Sequence, residues 1–460
     1  MISSEYMAKL DKIALEAAHE LENYGRLSVT QKLRRTAKQV LGRSVEKPDP
    51  MFWPAGMLMM GLAEYWKMKV RHSGVFSNAV SRGHDNNNSD SFTENKQGID
   101  TTLREVQKTL ESHIGKWIDS GSEFQHIDDV LSGCAILDVY TLTGNIKYLD
   151  AADHMAEYAM KAPEDKTGAV IYRPGRAHDY VFADGVGMMA MFLSKYASVV
   201  LGRGEKYKNR ESDQNAADRS DNDVYDVIRI KRADAALEGA LAQLEIYHKY
   251  GFDKTTGLPA HGYEADGLSG DVHDSTEADV NTGGRAFGES RISVVQKGFP
   301  GWGRAVGWYL GGYSEYCRAS HGRPGFLEED IFFRLVESCR KKDGSFPWLL
   351  TDPKGETDIS ATAMISAAEL KLGIDIDRCG HHQPGTANRC DNHQSGTTGC
   401  QPGANTWHNM TMELILKNTD ADGRVGQTLA ECLDFGNHPQ VYGNYPWGQG
   451  AALIYLCRSY

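Results

Sequence analysis

One pattern limits what this chain can fold into more than any other. A short run of glycine, alanine and medium-sized apolar residues, opened by an aromatic, charged or hydroxyl-bearing side chain, returns about six times. Its clearest copy is Phe182-Ala183-Asp184-Gly185-Val186-Gly187-Met188-Met189-Ala190-Met191-Phe192-Leu193. Val186, Met189, Ala190 and Leu193 recur at helical spacing, which predicts a helix with Asp184 at its start. The other copies begin near 54, 128, 303, 360 and 447. Between them lie helices of a second type, such as 100–117, where Leu103, Val106, Leu110, Ile114 and Trp117 form one stripe opposite a charged face. Small residues on nearly every face call for close neighbours on all sides, as in an inner ring, whereas one-sided helices suit an outer ring. The alternation predicts an all-α chain: an (α/α)6 six-hairpin barrel, with residues 1–460 forming a single domain.

Around that barrel the sequence places N-terminal helices at 4–23 and 29–42, within a segment 1–45 that packs on it. Long polar insertions are expected at 73–98, 201–222, 264–297 and 373–405, with short β-hairpins in the loops, and 168–180 reads as a hairpin or a loop. Apolar residues at 40% and charged residues at 24% suit a soluble enzyme with a large core. A net charge of −12 argues against a nucleic-acid partner, because phosphate binding needs basic surface. An anionic small substrate stays open, since it responds to the local field of a pocket. No apolar run reads as a membrane span, and Met1 to Tyr6 lack the basic-then-apolar order of a signal peptide. The chain as given therefore reads as cytoplasmic, unless a secretion signal was trimmed from it. Eight cysteines do not make a disulfide scaffold at this length; Cys134, Cys317, Cys339, Cys432 and Cys457 sit in apolar helical contexts and read as buried thiols.

Up-and-down alternation would bring the six inner N-termini to one end. Trp53, Asp128, Asp184, Arg304, Ser360 and Trp447 would then line a single mouth, joined by His261 from a loop on the same side. Carboxylates, an imidazole and tryptophans suit a saccharide. An arginine fork suits a substrate carboxylate. Converging helix N-termini favour an anionic ligand and an ionised Asp184, whereas burial beside Asp128 raises its pKa toward that of a working general acid. The sequence leaves that contest open, along with Asp184 as a plain N-cap and the tryptophans as plain packing. Cys379, His381, His382, Cys390, His393 and Cys400 lack the close Cys pairs of a zinc site and read as a solvated loop. Asp420-Ala421-Asp422-Gly423 puts Leu429 where a calcium loop needs glutamate, so a β-turn is expected. Gly301 to Gly307 follow no strand and make no nucleotide loop. Neither metal nor cofactor is called for.

Seven motifs then fall into one order. They are Gln125-His126-Ile127-Asp128-Asp129, Phe182 to Met188, Pro259-Ala260-His261-Gly262-Tyr263, Trp302-Gly303-Arg304-Ala305-Val306-Gly307-Trp308, Asp358 to Met364, Asp420 to Val425, and Trp447-Gly448-Gln449-Gly450-Ala451. In that order, from about residue 50 onward and outside the insertions, the chain resembles the unsaturated rhamnogalacturonyl hydrolases of glycoside hydrolase family 105. These are relatives of the unsaturated glucuronyl hydrolases of family 88. The resemblance implies a glycosidase that removes a terminal C4=C5 unsaturated uronic acid from lyase-made oligosaccharides, such as those of pectin, by hydrating the double bond without a metal. It makes Asp184 the general acid and then the base for water, with Asp128 holding sugar hydroxyls and tuning it. His261 would place the water, and Arg304 and Trp308 would engage the uronate. Trp53, Phe182, Arg173, Ser360 and Trp447 complete the expected substrate contacts. Phe182 stands where an indole is expected and Asp358 where glutamate is expected. Another α/α-barrel carbohydrate enzyme (an epimerase or an inverting hydrolase) and a non-catalytic saccharide-binding scaffold remain as alternatives.

Overall fold

The structure is a computed structural model, and it describes residues 4–25, 49–73, 100–211, 221–265, 292–373 and 406–460. The expected helix at 29–42, the Cys/His tract, and most of the insertions at 73–98, 264–297 and 373–405 lie outside the described residues.

The described residues hold twelve α-helices of the two predicted kinds. The small-residue helices are α2 (Trp53–His72), α4 (Val130–Thr143), α6 (Ala183–Glu211), α8 (Gly303–Ser320), α10 (Ile359–Leu372) and α12 (Pro446–Ser459). Interleaved with them in the chain are α1 (Ser4–Asn23), α3 (Thr101–Asp119), α5 (Ile146–Met160), α7 (Asp221–Gly251), α9 (Glu329–Ser338) and α11 (Thr406–Lys417). Each small-residue helix packs on the next, α2 on α4, α4 on α6, and so on to α12, which packs back on α2. Glycine makes these approaches possible. A Cβ on Gly187 would lie 2.4 Å from the Trp308 carbonyl oxygen, and one on Gly450 would lie 2.2 Å from that of Met57. The second set keeps to the outside: α3, for instance, buries Val106, Leu110, Ile114 and Trp117 and turns its charges to solvent.

Two expectations need correction. The tract 201–222 is not one polar insertion, because α6 runs on to Glu211 and α7 starts at Asp221. One apolar run does reach membrane-spanning length: Ala183–Gly202 is 20 residues long and apolar enough to cross a bilayer by composition. It passes that test because 78% of its apolar window is buried among the other helices, as an inner-ring helix requires.

At their C-terminal ends the six inner helices share a buried set of charges. Lys67 pairs with Glu64 at 3.1 Å and with Asp138 at 3.2 Å, and Lys195 meets Asp138 at 2.5 Å. Arg458 meets Glu64 at 2.7 Å, while Lys371 and Arg318 both pair with Glu315. Cations outnumber acids here, which suits a place where helix C-termini present unpaired carbonyl groups.

Near the other end lies a three-stranded antiparallel sheet, β1 (Tyr180–Phe182), β2 (Gly262–Ala265) and β3 (Val294–Lys297), in that spatial order. Its strands come from distant parts of the chain. Of the two readings for 168–180, the structure has the loop, tied by the Tyr172 amide donating to the Tyr180 carbonyl at 2.9 Å. A second pair, β4 (Thr428–Leu429) and β5 (Tyr442–Gly443), brackets the segment 430–441.

Candidate active site

Strand β1 runs straight into α6, so Phe182 and Asp184 are presented together at the helix start. The Ala183 amide donates to the His261 carbonyl at 3.0 Å, which ties the acid to the residue preceding β2. These elements border a cavity of about 390 Å³. Trp53, Asp184, Arg304 and Trp308 reach it from the starts of α2, α6 and α8. One wall is the run from Tyr172 to Phe182; the other is Glu431 to Phe435.

Asp184 lines this cavity but makes no capping bond. It sits inside the first turn of α6, its Oδ1 is shut off from solvent without a partner, and the backbone group acting on it is its own amide. Burial, then the neighbouring charge of Asp128, pushes its pKa from 3.8 to about 8; the Arg304 guanidinium pulls weakly the other way. Desolvation therefore wins the contest over the helix N-terminus. At neutral pH Asp184 carries its proton.

Asp128 stands one layer deeper, fully buried and not on the cavity surface. Its Oδ2 accepts from the Tyr172 hydroxyl at 2.5 Å, and its Oδ1 has no partner. Burial raises it to about 7, against the pull of that hydroxyl and of Arg173. Tyr172 in turn stacks on Phe182, with ring centroids 4.2 Å apart and planes within 6°. Phe182 thus backs the phenol that bonds Asp128. His261 is buried against Trp302 at 4.2 Å and Phe182 at 5.1 Å, and its pKa falls well below the usual histidine value. It is a neutral imidazole, and its Nδ1 has no protein partner.

Arg304 has a different employment from the one expected. Its Nη1 donates to the Leu429 carbonyl at 2.8 Å and its Nη2 to the Ala430 carbonyl at 2.9 Å, so the end of the fork is occupied by two consecutive backbone groups. Trp302 and Trp447 lie against its guanidinium at 4.9 and 5.5 Å, and Asp358 stands 3.6 Å from Nη1. Ser360 and Trp447 must be moved from the mouth to this scaffold. The Ser360 hydroxyl donates to Asp358 at 2.6 Å, and the Trp447 Nε1 donates to the Leu429 carbonyl at 3.0 Å; neither residue reaches the cavity. Asp358 also accepts from the Leu429 amide at 3.2 Å. Together these bonds hold the segment that leads into the Glu431–Phe435 wall.

Motif logic passed over several cavity residues: Tyr172, Arg176, His178, Tyr180 and the whole 431–435 wall. Apart from Tyr180, which opens the three-residue strand β1, they lie on loops, so no helical or strand periodicity marks them. Cys432, expected as a buried thiol, is only partly buried and faces the cavity, 4.0 Å from His261 Nε2. Cys317 and Cys339 are also only partly buried, whereas Cys134 and Cys457 are buried as expected. The Asp420–Gly423 segment closes as a turn, with Asp420 Oδ1 accepting from the Asp422 and Arg424 amides, each at 2.9 Å.

No family model and no curated protein matches the sequence. Solved structures do match. A possible member of glycoside hydrolase family 105 from Klebsiella pneumoniae aligns over 100% of this chain and 93% of its own, with a TM-score of 0.58 at 14% identity. The unsaturated glucuronyl hydrolase of Bacillus sp. GL1, responsible for degradation of glycosaminoglycan, aligns over 98% and 95%, with a TM-score of 0.56 at 11% identity. An unsaturated glucuronyl hydrolase specific for heparin aligns over 99% and 97%, at 0.53 and 12%. The chain has their fold. These neighbours come from the same two families that the seven motifs resemble.

Proposed function

We propose that the chain is one (α/α)6 six-hairpin barrel acting as a glycoside hydrolase on oligosaccharides that end in a C4=C5 unsaturated uronic acid. The observation that carries this is a cavity-facing Asp184 protonated near neutrality and walled by aromatic rings, in a chain with the fold of unsaturated uronyl hydrolases. An enol ether needs a proton at C4 and water at C5. Asp184 supplies the proton to C4 and, as a carboxylate, takes one from the water that attacks C5. The resulting hemiketal opens the ring and frees the remaining saccharide from C1. Because the anomeric carbon is not displaced, the spacing rules for paired carboxylates in ordinary glycosidases do not govern this site.

Asp128 acts through Asp184: when ionised it raises the pKa of the acid, and the Tyr172 hydroxyl holds it in place. The neutral His261 offers an unpartnered ring nitrogen for the water. Trp53, Trp308 and Phe182 offer apolar faces to the sugar ring. Purified protein is expected to bleach the ultraviolet absorbance of lyase-made oligosaccharides from pectin, glycosaminoglycan or ulvan, leaving saturated counterparts untouched. In heavy water the product should carry deuterium at C4. Persistence of the double bond with all three substrate classes would overturn the proposal.

A further inference from the structure

We infer that Arg173, and not Arg304, holds the carboxylate of the terminal uronide, an assignment that rests on the function proposed above. A uronate brings a full negative charge into a cavity that already holds Asp184 and Glu431. Such an anion needs a cation with free donors directed at it. Arg304 meets that need poorly: two of its five N–H donors already go to consecutive carbonyls, Asp358 stands 3.6 Å from Nη1 and offsets its charge, and its residue is 2% exposed.

Arg173 meets it. The residue lines the cavity, is exposed, and has no ion pair among the described residues. Its guanidinium lies 5.6 Å from the centre of the Tyr172 ring, and Tyr172 both bonds Asp128 and stacks on Phe182, two residues before the acid. The charge therefore sits beside the Tyr172–Asp128 pair, on the wall that ends at Phe182. It is felt by Asp128 and, after that of Arg304, by Glu431, in each case opposing the burial that raises the carboxyl group. Arg176 also lines the cavity, without the contact to the Tyr172 ring that sets Arg173 beside Asp128. A carboxylate at Arg173 would leave the C4=C5 bond on the Asp184 side of the sugar.

The test compares an unsaturated disaccharide with its own methyl ester, which keeps the double bond and loses the charge. The native protein should prefer the acid. Arg173→Gln should raise KM for the acid about 10- to 100-fold, the usual worth of a charge-assisted contact, and leave the ester nearly unchanged. Arg173→Lys should recover part of the preference, and Arg176→Gln should cost much less. Calorimetric binding to Asp184→Asn protein, with and without Arg173→Gln, gives the same comparison without turnover. Equal losses on acid and ester would overturn the assignment, since they would mean that Arg173 acts by setting Asp128 or the fold. So would an unchanged preference in Arg173→Gln, or failure of the native protein to bind the acid. Tight binding of the acid with its double bond left intact would instead refute the proposed reaction alone, and the binding comparison would still decide the role of Arg173.

Discussion

The two ends of the inner ring bury carboxyl groups about equally well and do opposite things with them. At the C-terminal end three acids have two cations each: Glu64 has Lys67 and Arg458, Asp138 has Lys67 and Lys195, Glu315 has Arg318 and Lys371. Glu64 and Glu315 are accordingly held below the usual carboxylate range despite their burial. At the N-terminal end Asp128 and Asp184 have no cation within ion-pair distance among the described residues, and they rise to about 7 and 8. Burial alone does not decide whether an acid gives up its proton; the partners decide. One end is built to stay charged and hold the helices together, the other to keep a proton until something takes it.

The sharpest way to break this contrast is Asp184→Asn. Turnover should fall about a thousandfold, as loss of a general acid does, while the fold survives because no ion pair is lost. Folding should also lose a pH dependence. Asp184 binds its proton up to about 8 when folded but only to about 3.8 when unfolded, so native stability falls as pH rises through that window. Urea melts across it should show a flatter slope in the variant. A severe loss of stability would place Asp184 with the paired acids instead.

Glu315→Gln probes the opposite end. It leaves the partly buried Lys371 and the exposed Arg318 without their acid and should cost about 1–3 kcal/mol in denaturant melts. The depressed pKa of Glu315 adds a stabilisation that is present above 4.5 and lost as pH falls below it, opposite in sign to Asp184. Replacing Glu315 and Lys371 together by methionine should recover part of the loss.

A third variant asks how tightly the two ends are joined. Gly187→Ala puts a methyl group against the Trp308 backbone and should cost about 1–3 kcal/mol. Gly202→Ala, in the same helix with open space around it, should be neutral or stabilising by up to about 1 kcal/mol. Smallest of all, Trp447→Phe removes one hydrogen bond to Leu429 and should cost about 1 kcal/mol with a modest rise in KM.

The helices were legible because their composition has a single physical cause. Glycine and alanine at 187, 190, 307, 312 and 450 are needed where backbones meet, and that need shows in the letters. Asp184 and His261 were legible for a similar reason, each standing at the edge of a recognisable element. Arg304 was visible as a residue but not in its bonds, because spacing says nothing of which carbonyl a guanidinium will find. Asp358 and Leu429 lie 71 positions apart and meet only in three dimensions. The 431–435 wall carried no signal at all, having no periodicity and no regular structure of its own.

The contact between α12 and α2 has a bearing on how the molecule is made. Arg458 meets Glu64 across 394 positions, so the circle cannot shut until the last described helix has left the ribosome. Until then a nascent chain is an unfinished arc, with the alanine-and-glycine flank of α2 bare and α1 short of one neighbour. Long-range closure of this kind slows assembly and exposes apolar surface meanwhile. Emergence of α12, rather than synthesis of the helix that carries Asp184, sets the moment at which the pocket can first form.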